Sequence, residues 1–340
     1  MPLQINFVDT ACGGNYYWVG MIRKSFFLLL ILSFIFNNAS AEKYAGEFLN
    51  LGVGARALGM GGAFVAISDD ATATYWNPAG LARLSSQELV FMHSETFGSL
   101  LNHDFIAWAI PLHNRFENST LGLSLMRLGG GDIKVTDLPN PGQPISSTNR
   151  PYVVREAGHA DYLLTFSFAK QKNPKLSIGG NAKIIYRHIV DHSAFGMGID
   201  LGLLYAPYEF LSLGANLKDA VSTLLSYDNG TRETISPSLR TGFSLNKSYN
   251  DFNFLFSTEA ELNFEGRKYA AQYWQGDISA DMHYGWEIVY LKRVSARLGF
   301  DVGNFSAGGG LSFKKFAVDL AFLNHKELDN SYRVSLKVKL

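Results

Sequence analysis

A glycine cluster near the start of the chain has the composition of a phosphate-binding loop. Gly59, Gly61 and Gly62 lie close together, and glycine-rich turns can bring backbone N–H groups against a phosphate. A dinucleotide fingerprint, however, needs its third glycine where this chain has Phe64, and a P-loop needs a Gly-Lys-Ser/Thr ending that does not follow here. The sequence therefore predicts no nucleotide cofactor at these glycines.

Acidic and imidazole side chains are the other candidates for chemistry. Asp69 and Asp70 could bind calcium, but no further acidic ligands follow at the spacing of a calcium loop. His93, His103 and His113 recur at even spacing, yet on successive antiparallel strands this spacing does not by itself bring them together. No local signature nominates a serine–histidine pair for a hydrolase. We therefore expect no enzymatic activity, no cofactor and no metal site.

Strands are the dominant elements, because apolar and polar residues alternate strictly along many segments. In the last segment we expect Leu336 to face lipid and Ser335 to face an aqueous lumen. About fourteen strands are predicted, within the even-numbered range of bacterial barrels. They are expected near 87–95, 103–112, 118–128, 161–171, 174–188, 195–206, 208–219, 236–246, 251–262, 281–291, 294–303, 305–314, 315–324 and 331–340.

The predicted connections sort by length onto two rims, which separates a barrel from a soluble sandwich. A sandwich shows the same alternation but has no reason to sort its loops, whereas outer-membrane barrels have short periplasmic turns and long outer loops. The predicted fold is an all-β, transmembrane antiparallel β-barrel of about 14 strands. The short connections are 113–117, 172–173, 207, 247–250, 292–293 and 314–315, and the long ones are 129–160, 220–235, 263–280 and 325–330.

Composition agrees with a protein that leaves the cytoplasm. Charged residues are 18% of the chain, below the value of about a quarter that is typical of soluble domains. The net charge of +0 argues against a nucleic-acid partner. The one cysteine, Cys12, precedes the expected mature chain, which can then form no disulfide and carry no lipoprotein anchor. No segment after Ala41 has the roughly 20 apolar residues of a transmembrane helix.

Residues 21–41 have the pattern of a secretory signal peptide. A basic start precedes an apolar run, and small residues stand at the cleavage positions. We expect export through the Sec pathway and a mature chain that begins at Glu42. Residues 1–20 precede a good start at Met21 and are predicted to be a mis-called translation start, so the choice between Met1 and Met21 stays open.

Residues 42–85 lie between this signal and the first predicted strand, and we predict that they form a plug inside a barrel made by residues 86–340. The glycine cluster permits positive φ and close backbone approach, which a chain folded in a narrow lumen requires. The acidic pair is typical of a turn or a helix N-cap. Asn77 and Pro78 are typical of a turn before the chain enters the first strand.

An ordered motif runs through this plug. It reads Gly54-Ala55-Arg56, Gly59-Met60-Gly61-Gly62-Ala63-Phe64, Asp69-Asp70-Ala71 and Tyr75-Trp76-Asn77-Pro78-Ala79-Gly80-Leu81. It resembles the N-terminal signature of the PorV/PorQ family, also catalogued as UPF0164, which is related to FadL-type outer-membrane transporters. The rest of the chain matches in pattern only. The resemblance implies a place in the outer membrane of a Gram-negative-type bacterium and a plug motif at Arg56, Gly59, Gly61, Gly62, Asp69, Asp70, Asn77, Pro78, Ala79 and Gly80.

Two non-enzymatic functions follow from the resemblance. The closer one, to PorV, implies an outer-membrane component associated with type IX protein secretion that binds exported proteins and the secretion machinery. The loop 129–160, rich in glycine and proline, is then expected to form an irregular cap that presents a protein-binding surface.

The alternative, implied by the FadL-type proteins, is a passive transporter of hydrophobic small molecules. In that case an apolar ligand meets the long loops, which carry unusually apolar side chains. Packing among themselves or contact with the membrane interface explains the same residues equally well. The candidate ligand-loop residues are Leu224, Leu225, Tyr227, Tyr269, Tyr273 and Trp274.

Overall fold

The computed structural model describes residues 46–96, 100–112, 118–267, 270–324 and 330–340. The predicted mis-called start and signal peptide lie outside the described residues, as do the first residues of the predicted plug. Within the described residues, no helix is both long enough and apolar enough to span a membrane.

In the described part of the chain, short helical pieces precede seventeen β-strands, numbered here in chain order. The helical pieces are 3-10 helices at Glu47–Asn50 and Pro78–Arg83 and α-helical turns at Ala55–Gly59 and Ala73–Trp76. The strands are β1 Glu88–Thr96, β2 Leu101–Leu112, β3 Ser119–Asp137, β4 Tyr152–Asn173, β5 Leu176–Ile189, β6 His192–Tyr208, β7 Leu211–Lys218, β8 Thr223–Tyr227, β9 Arg232–Ile235, β10 Ser238–Tyr249, β11 Phe252–Asn263, β12 Tyr273–Gln275, β13 Ile278–Tyr290, β14 Val294–Asp301, β15 Asn304–Ser312, β16 Phe316–Leu323 and β17 Ser331–Lys339.

Fourteen of the strands in the described residues form a closed antiparallel barrel. The ring runs from β1 to β7, continues through β10, β11 and β13 to β17, and closes where β17 pairs with β1. A closed ring leaves no strand edge unpaired, which is the condition for crossing hydrocarbon with strands. The remaining three strands extend the sheet on the long-loop rim, where β8 pairs with β6 and β9, and β12 pairs with β13.

The predicted strands agree with the barrel one for one, with ends that differ by a few residues. The largest difference concerns the segment 129–160, which was expected to be an irregular cap. This expectation is wrong, because β3 continues to Asp137 and β4 begins at Tyr152, so most of the segment is a β-hairpin that extends above the barrel. Its alternation is interrupted by a bulge between Gly130 and Ile133, where the glycine run breaks the sequence pattern.

Burial alternates along every barrel strand and separates an apolar outer face from a polar inner face. On β17, for example, Leu336 is exposed on the outside, whereas Arg333 is buried on the inside. A continuous apolar outer band is what a barrel requires to contact hydrocarbon, and the predicted outward position of Leu336 is confirmed. The same band includes Trp108, Leu123, Phe166, Leu201, Phe243, Phe254, Trp286, Leu298, Leu320 and Val334.

The inner face at Ser335 is not the aqueous surface that was expected. Ser335 is 4% exposed, and its Oγ accepts a hydrogen bond of 2.8 Å from the backbone N–H of Ala55. Residues 46–85, the described part of the predicted plug, occupy the lumen and form the centre of the buried cluster. The name plug refers below to residues 46–85. The hydrophobic core therefore lies inside the ring, with Trp76 and Phe64 among its largest fully buried side chains.

A pair of arginine substitutions tests this assignment of faces. Leu336→Arg should prevent assembly of the barrel, because a cation facing hydrocarbon near the midplane costs about 2–4 kcal/mol. Ser248→Arg should be tolerated, because Ser248 lines an open cavity on the short-turn side of the lumen. The measurement is the mobility of unheated protein on a denaturing gel, where a closed barrel runs faster than the unfolded chain. Equal effects at the two positions would contradict the assignment.

Candidate functional site

The plug has local backbone hydrogen bonds along its helical pieces and turns, and a core of its own aromatic side chains. Trp76 packs edge-on against Tyr75, with ring centroids 5.0 Å apart, and against Phe64 at 6.1 Å. The indole Nε1 of Trp76 donates to the carbonyl of Val53 at 2.9 Å, and the hydroxyl of Tyr75 donates to the carbonyl of Leu49 at 2.5 Å. These contacts tie the start of the plug to its second half.

The inner face of the barrel strands, called the wall below, supplies hydrogen-bond partners for the backbone of the plug. The carboxylate of Glu259, 1% exposed, accepts hydrogen bonds from the N–H groups of Phe64 and Val65 at 2.9 and 2.8 Å. The side-chain amide of Asn181 donates to the carbonyl of Thr74 at 2.9 Å, and that of Asn216 donates similarly to the plug. Because these groups are buried, their loss would leave polar atoms unpaired.

Arg56 is the centre of the charged contact between plug and wall. Its guanidinium donates to Glu287 of β13 through Nε and Nη2, each at 2.9 Å, and it also pairs with Asp69 of the plug. Glu287 in turn accepts from Arg297 of β14 at 2.5 Å. Burial alone would lower the pKa of Arg56, but the carboxylates of Asp69 and Glu287 raise it well above the usual value. Arg56 is thus a permanent cation that joins plug and wall.

Asp70 makes a second charged contact on the neighbouring wall. Its Oδ2 lies 3.7 Å from Nζ of Lys337 in β17. Burial alone would raise the pKa of Asp70, but the cations of Lys337 and Arg56 hold it below its usual value. A depressed carboxyl pKa means that this contact is present at neutral pH and is lost as the pH falls through that pKa. Asp70 also accepts from the N–H of Thr72 at 3.0 Å, so the acidic pair forms a turn and an ionic link rather than a cation site.

Close backbone contact explains the glycine cluster. Gly61 has φ of +64°, and a Cβ at this position would lie 2.6 Å from the carbonyl oxygen of Phe300 in the wall. Gly62 has φ of +74° but ordinary contact distances, and Gly59 lies against Gly308. Glycine is required at Gly61 for both conformation and space. Sequence reasoning missed the matching glycines of the wall, whose added Cβ atoms would meet the plug: Gly179, Gly202, Gly214, Gly285 and Gly299.

The last part of the motif anchors the plug to β5 and β6. The side-chain oxygen of Asn77 accepts from the N–H of Ala79 at 3.1 Å and so caps the 3-10 helix that begins at Pro78. The amide nitrogen of Asn77 donates to the carbonyl of Leu203 in the wall at 3.0 Å. A Cβ on Gly80 would overlap the carbonyl of Ser68. These residues direct the chain across the lumen before it enters β1.

The lumen has two unlike sectors. The inner face of β10 to β17 is densely charged, with ion pairs that include Arg240 with Glu259 at 3.2 Å and Arg297 with Asp319 at 2.7 Å. The inner face of β2 to β5 instead carries a group of buried apolar side chains toward the long-loop rim, beside the ion pairs of Arg187 with Asp161 and of Lys183 with Asp200, each at 2.7 Å. The apolar sector consists of Phe105, Met126, Leu128, Leu163 and Ile185, all between 0% and 6% exposed.

The start of the plug covers the apolar sector and joins it to the long loops. Phe48 and Leu49 belong to the same buried cluster as this sector, and Ile235 of β9 packs against it. The ring of Phe48 lies 5.1 Å from the guanidinium carbon of Arg187. A narrow gap of about 10 Å³ separates Leu49 from the wall, so the sector is filled by the protein itself.

The predicted ligand-loop residues fall on two separate extension strands. On β8, Leu225 turns inward and is fully buried beside Gly196, whereas Leu224 is exposed. Tyr227 is half-buried and its hydroxyl donates to Glu233 at 3.1 Å. Tyr273 and Trp274 are exposed on β12, which pairs with β13, and Tyr269 lies outside the described residues. Leu225 and Tyr227 alone of the described set border the apolar sector.

An open cavity lies on the opposite, short-turn side of the plug. It measures about 740 Å³ and is lined by both polar and apolar groups from the plug and the wall. Arg56, Asp69 and Arg83 face it from the plug, and Glu209 and Asp251 face it from the turns. The plug thus separates this short-turn cavity from the apolar sector.

The chain matches no known protein-family model and no curated protein sequence. Solved structures do resemble it. The toluene transporter TodX of P. putida has a TM-score of 0.59 at 13% identity, covering 85% of this chain and 99% of that one. The toluene transporter TbuX of Ralstonia pickettii gives 0.54 at 12%, covering 85% and 98%. A FadL homologue of Pseudomonas aeruginosa gives 0.51 at 12%, covering 84% and 98%. The chain therefore has the fold of FadL-type outer-membrane barrels, while the PorV/PorQ resemblance stays a prediction.

Removal of the Arg56 cation should weaken the contact between the plug and the wall. Arg56→Met leaves the buried carboxylate of Glu287 with one cation fewer, at a cost of roughly 3–5 kcal/mol. We expect reconstituted protein to conduct small ions more readily than the parent in planar bilayers. The control is Arg155→Met, which removes an exposed ion pair with Asp191 worth about 0–1 kcal/mol. Unchanged conductance in Arg56→Met would show that the charge does not retain the plug.

Three glycine-to-alanine substitutions should destabilise the barrel to different degrees, set by the backbone conformation and the free space at each position. Gly61→Ala introduces both a positive-φ penalty of about 1–2 kcal/mol and a clash with the wall. Gly62→Ala introduces the penalty alone, because its nearest neighbour would be 3.4 Å away. Gly131→Ala meets nothing within 4 Å. The temperature at which the compact gel form is lost should fall most for Gly61→Ala and not at all for Gly131→Ala. An effect of Gly62→Ala equal to that of Gly61→Ala would contradict the close contact.

Proposed function

We propose that this chain is a non-enzymatic outer-membrane barrel that passes hydrophobic small molecules down their gradient. In this proposal the Sec pathway exports the chain, residues 21–41 are removed, residues 42–85 form the plug and residues 86–340 form the barrel. The short-turn rim faces the periplasm and the long loops face outward, as in bacterial barrels. Outer-membrane lipid surrounds the apolar outer band.

The apolar sector of the lumen carries this proposal. Buried inner walls of membrane barrels are usually polar, yet β2 to β5 present Phe105, Met126 and Leu163 to the lumen. This surface belongs to the same buried cluster as Leu225 at the long-loop rim, and the ion pair of Arg187 with Asp161 lies beside it. Apolar lining with few polar groups is the chemistry of sites for hydrophobic ligands.

Passage requires that the start of the plug moves. Phe48 and Leu49 fill the place that an apolar ligand would take, and their side chains are held by burial and by a cation–π contact of Phe48 with Arg187. The adjacent Glu47 forms a partly exposed ion pair with Arg267 at 3.8 Å. The charged contacts of Arg56 and Asp70 lie on the other side of the lumen. We infer that a ligand displaces the first described residues of the plug while the charged contacts hold the remainder.

The similar structures agree with this choice. TodX and TbuX are described as toluene transporters, and CymD, at a TM-score of 0.55 and 15% identity, is described as a monoaromatic hydrocarbon channel. These names support hydrophobic small molecules as the substrate class of this chain. The candidate ligand contacts are Phe105, Met126, Leu163 and Leu225, with Leu224, Tyr227, Tyr273 and Trp274 of the earlier set on the extension strands β8 and β12 at the long-loop rim.

The secretion function predicted from the PorV resemblance has less support. It relied on an irregular surface at 129–160, and that segment is mostly a regular hairpin. The similar structures named above are transporters or channels rather than secretion components. Secreted proteins and secretion machinery are therefore retained only as partners implied by the resemblance.

A reversible disulfide between the start of the plug and β9 tests the transport proposal. A Cβ at Gly46 would lie 2.9 Å from Cγ2 of Ile235, close to the geometry across a disulfide. Oxidised Gly46→Cys/Ile235→Cys should tie the start of the plug to β9 and abolish uptake of a hydrophobic probe, such as a monocyclic aromatic hydrocarbon, by cells that depend on this protein. Reduction should restore uptake.

The single variant Gly46→Cys, oxidised in the same way, is the control and should take up the probe as the parent does. Uptake that persists in the fully oxidised double variant would show that the start of the plug need not move. Loss of surface delivery of exported proteins, with uptake unchanged, would instead favour the secretion function.

A further inference from the structure

A basic groove lies on the short-turn rim, next to the open cavity of the lumen, and Leu291 and Lys292 line both. It measures about 1110 Å³ and is formed by three adjoining rim segments. Hydrogen bonds hold these segments side by side: the N–H of Ser312 donates to the carbonyl of Arg293 at 2.7 Å, and the N–H of Lys339 donates to that of Lys315 at 2.7 Å. The groove is therefore a fixed feature of the barrel wall rather than a chance meeting of mobile loops.

Cations dominate the polar lining of this groove. Lys292, Arg293, Lys314 and Lys315 are exposed, and none of the four forms an ion pair with a carboxylate among the described residues. Lys337, which also lines the groove, is engaged with Asp70 on the lumen side. Within the described ranges this exposed charge is not neutralised by a carboxylate, and it favours an external anion.

Exposed apolar side chains flank the same cations. Phe313 is 68% exposed and Phe316 is 52% exposed, and Leu291, Val294 and Leu311 are also exposed in the groove. A soluble anion such as phosphate would use only the cations. An anionic phospholipid uses both features, because its phosphate contacts the cations and its acyl chains contact the apolar flank.

We propose that this groove binds the phosphate headgroup of an anionic phospholipid in the membrane leaflet at the short-turn rim. Lys314 and Lys315 provide charge from one turn and Lys292 and Arg293 from the adjacent turn, while Phe313 lies against the acyl chains. The site depends on the barrel spanning a membrane; it is distant from the apolar sector and meets the plug only through Lys337, which is not one of its proposed headgroup ligands. It fixes the depth of one side of the barrel in the bilayer.

Native mass spectrometry of the detergent-solubilised protein tests the site, with short-chain phosphatidylglycerol and phosphatidylcholine as probes. The parent should bind phosphatidylglycerol in preference to phosphatidylcholine. Arg293→Gln/Lys314→Gln/Lys315→Gln should lose this preference, by roughly fivefold for each cation removed. The matched control is Lys170→Gln/Lys172→Gln/Lys175→Gln, at the β4–β5 turn of the same rim, which should bind as the parent does. Compact gel mobility confirms that each variant is folded.

Phe313→Ser keeps every charge and should weaken phosphatidylglycerol binding through loss of the apolar contact. Three results would overturn the proposal: a retained preference in the groove variant, an equal loss in the control variant, or displacement of the lipid by inorganic phosphate at equal concentration. The last result would identify a site for a soluble anion. Uptake of the hydrophobic probe should be unchanged in the groove variant, so failure of the lipid site and failure of the transport proposal are distinguishable.

Discussion

A chain segment enclosed in a barrel must find partners for its backbone in the wall, and the lumen is organised around this requirement. The helical pieces of the plug are short, so terminal groups such as the N–H of Ala55 and the carbonyl of Thr74 bond to side chains of the wall rather than within the plug. Glu259, Asn181 and Asn216 of the wall form hydrogen bonds with backbone atoms of the plug rather than with its side chains. Each such group left unpaired would cost about 1–3 kcal/mol. Polar residues on the inner face therefore serve the plug rather than a column of water.

Space imposes a matching requirement on both surfaces. The plug approaches the wall so closely that glycine is needed on each side, at Gly61 against Phe300 and at Gly285 against Met60. A side chain at either place would push the two backbones apart, because close-packed interiors have little room to relax. The glycines of the plug and those of the strands are thus two halves of one contact.

The two halves of the lumen hold the plug by different forces. Charge pairs at Arg56 and Asp70 act on the side of β13 to β17 and depend on partners at fixed positions. On the side of β2 to β5, Phe48 and Leu49 are held mainly by burial, which is not directional, with a cation–π contact between Phe48 and Arg187. An apolar molecule can replace buried apolar side chains but offers nothing to a buried ion pair. This asymmetry is the physical basis for the proposed partial displacement of the plug.

The sequence by itself determined the barrel, its fourteen strands and the position of the plug motif, because alternation with a period of two records locally which face meets hydrocarbon. The contacts of the inner surface were decided only by the tertiary structure. Only ring closure brings Arg56 against Glu287, which is 231 positions away, and only it turns Ser335 toward the plug rather than toward water. The hairpin at 129–160 was hidden by its glycines and prolines, and the inward turn of Leu225 depends on pairing with β6. Contacts of this kind are set by the fit between distant surfaces, which no local pattern records.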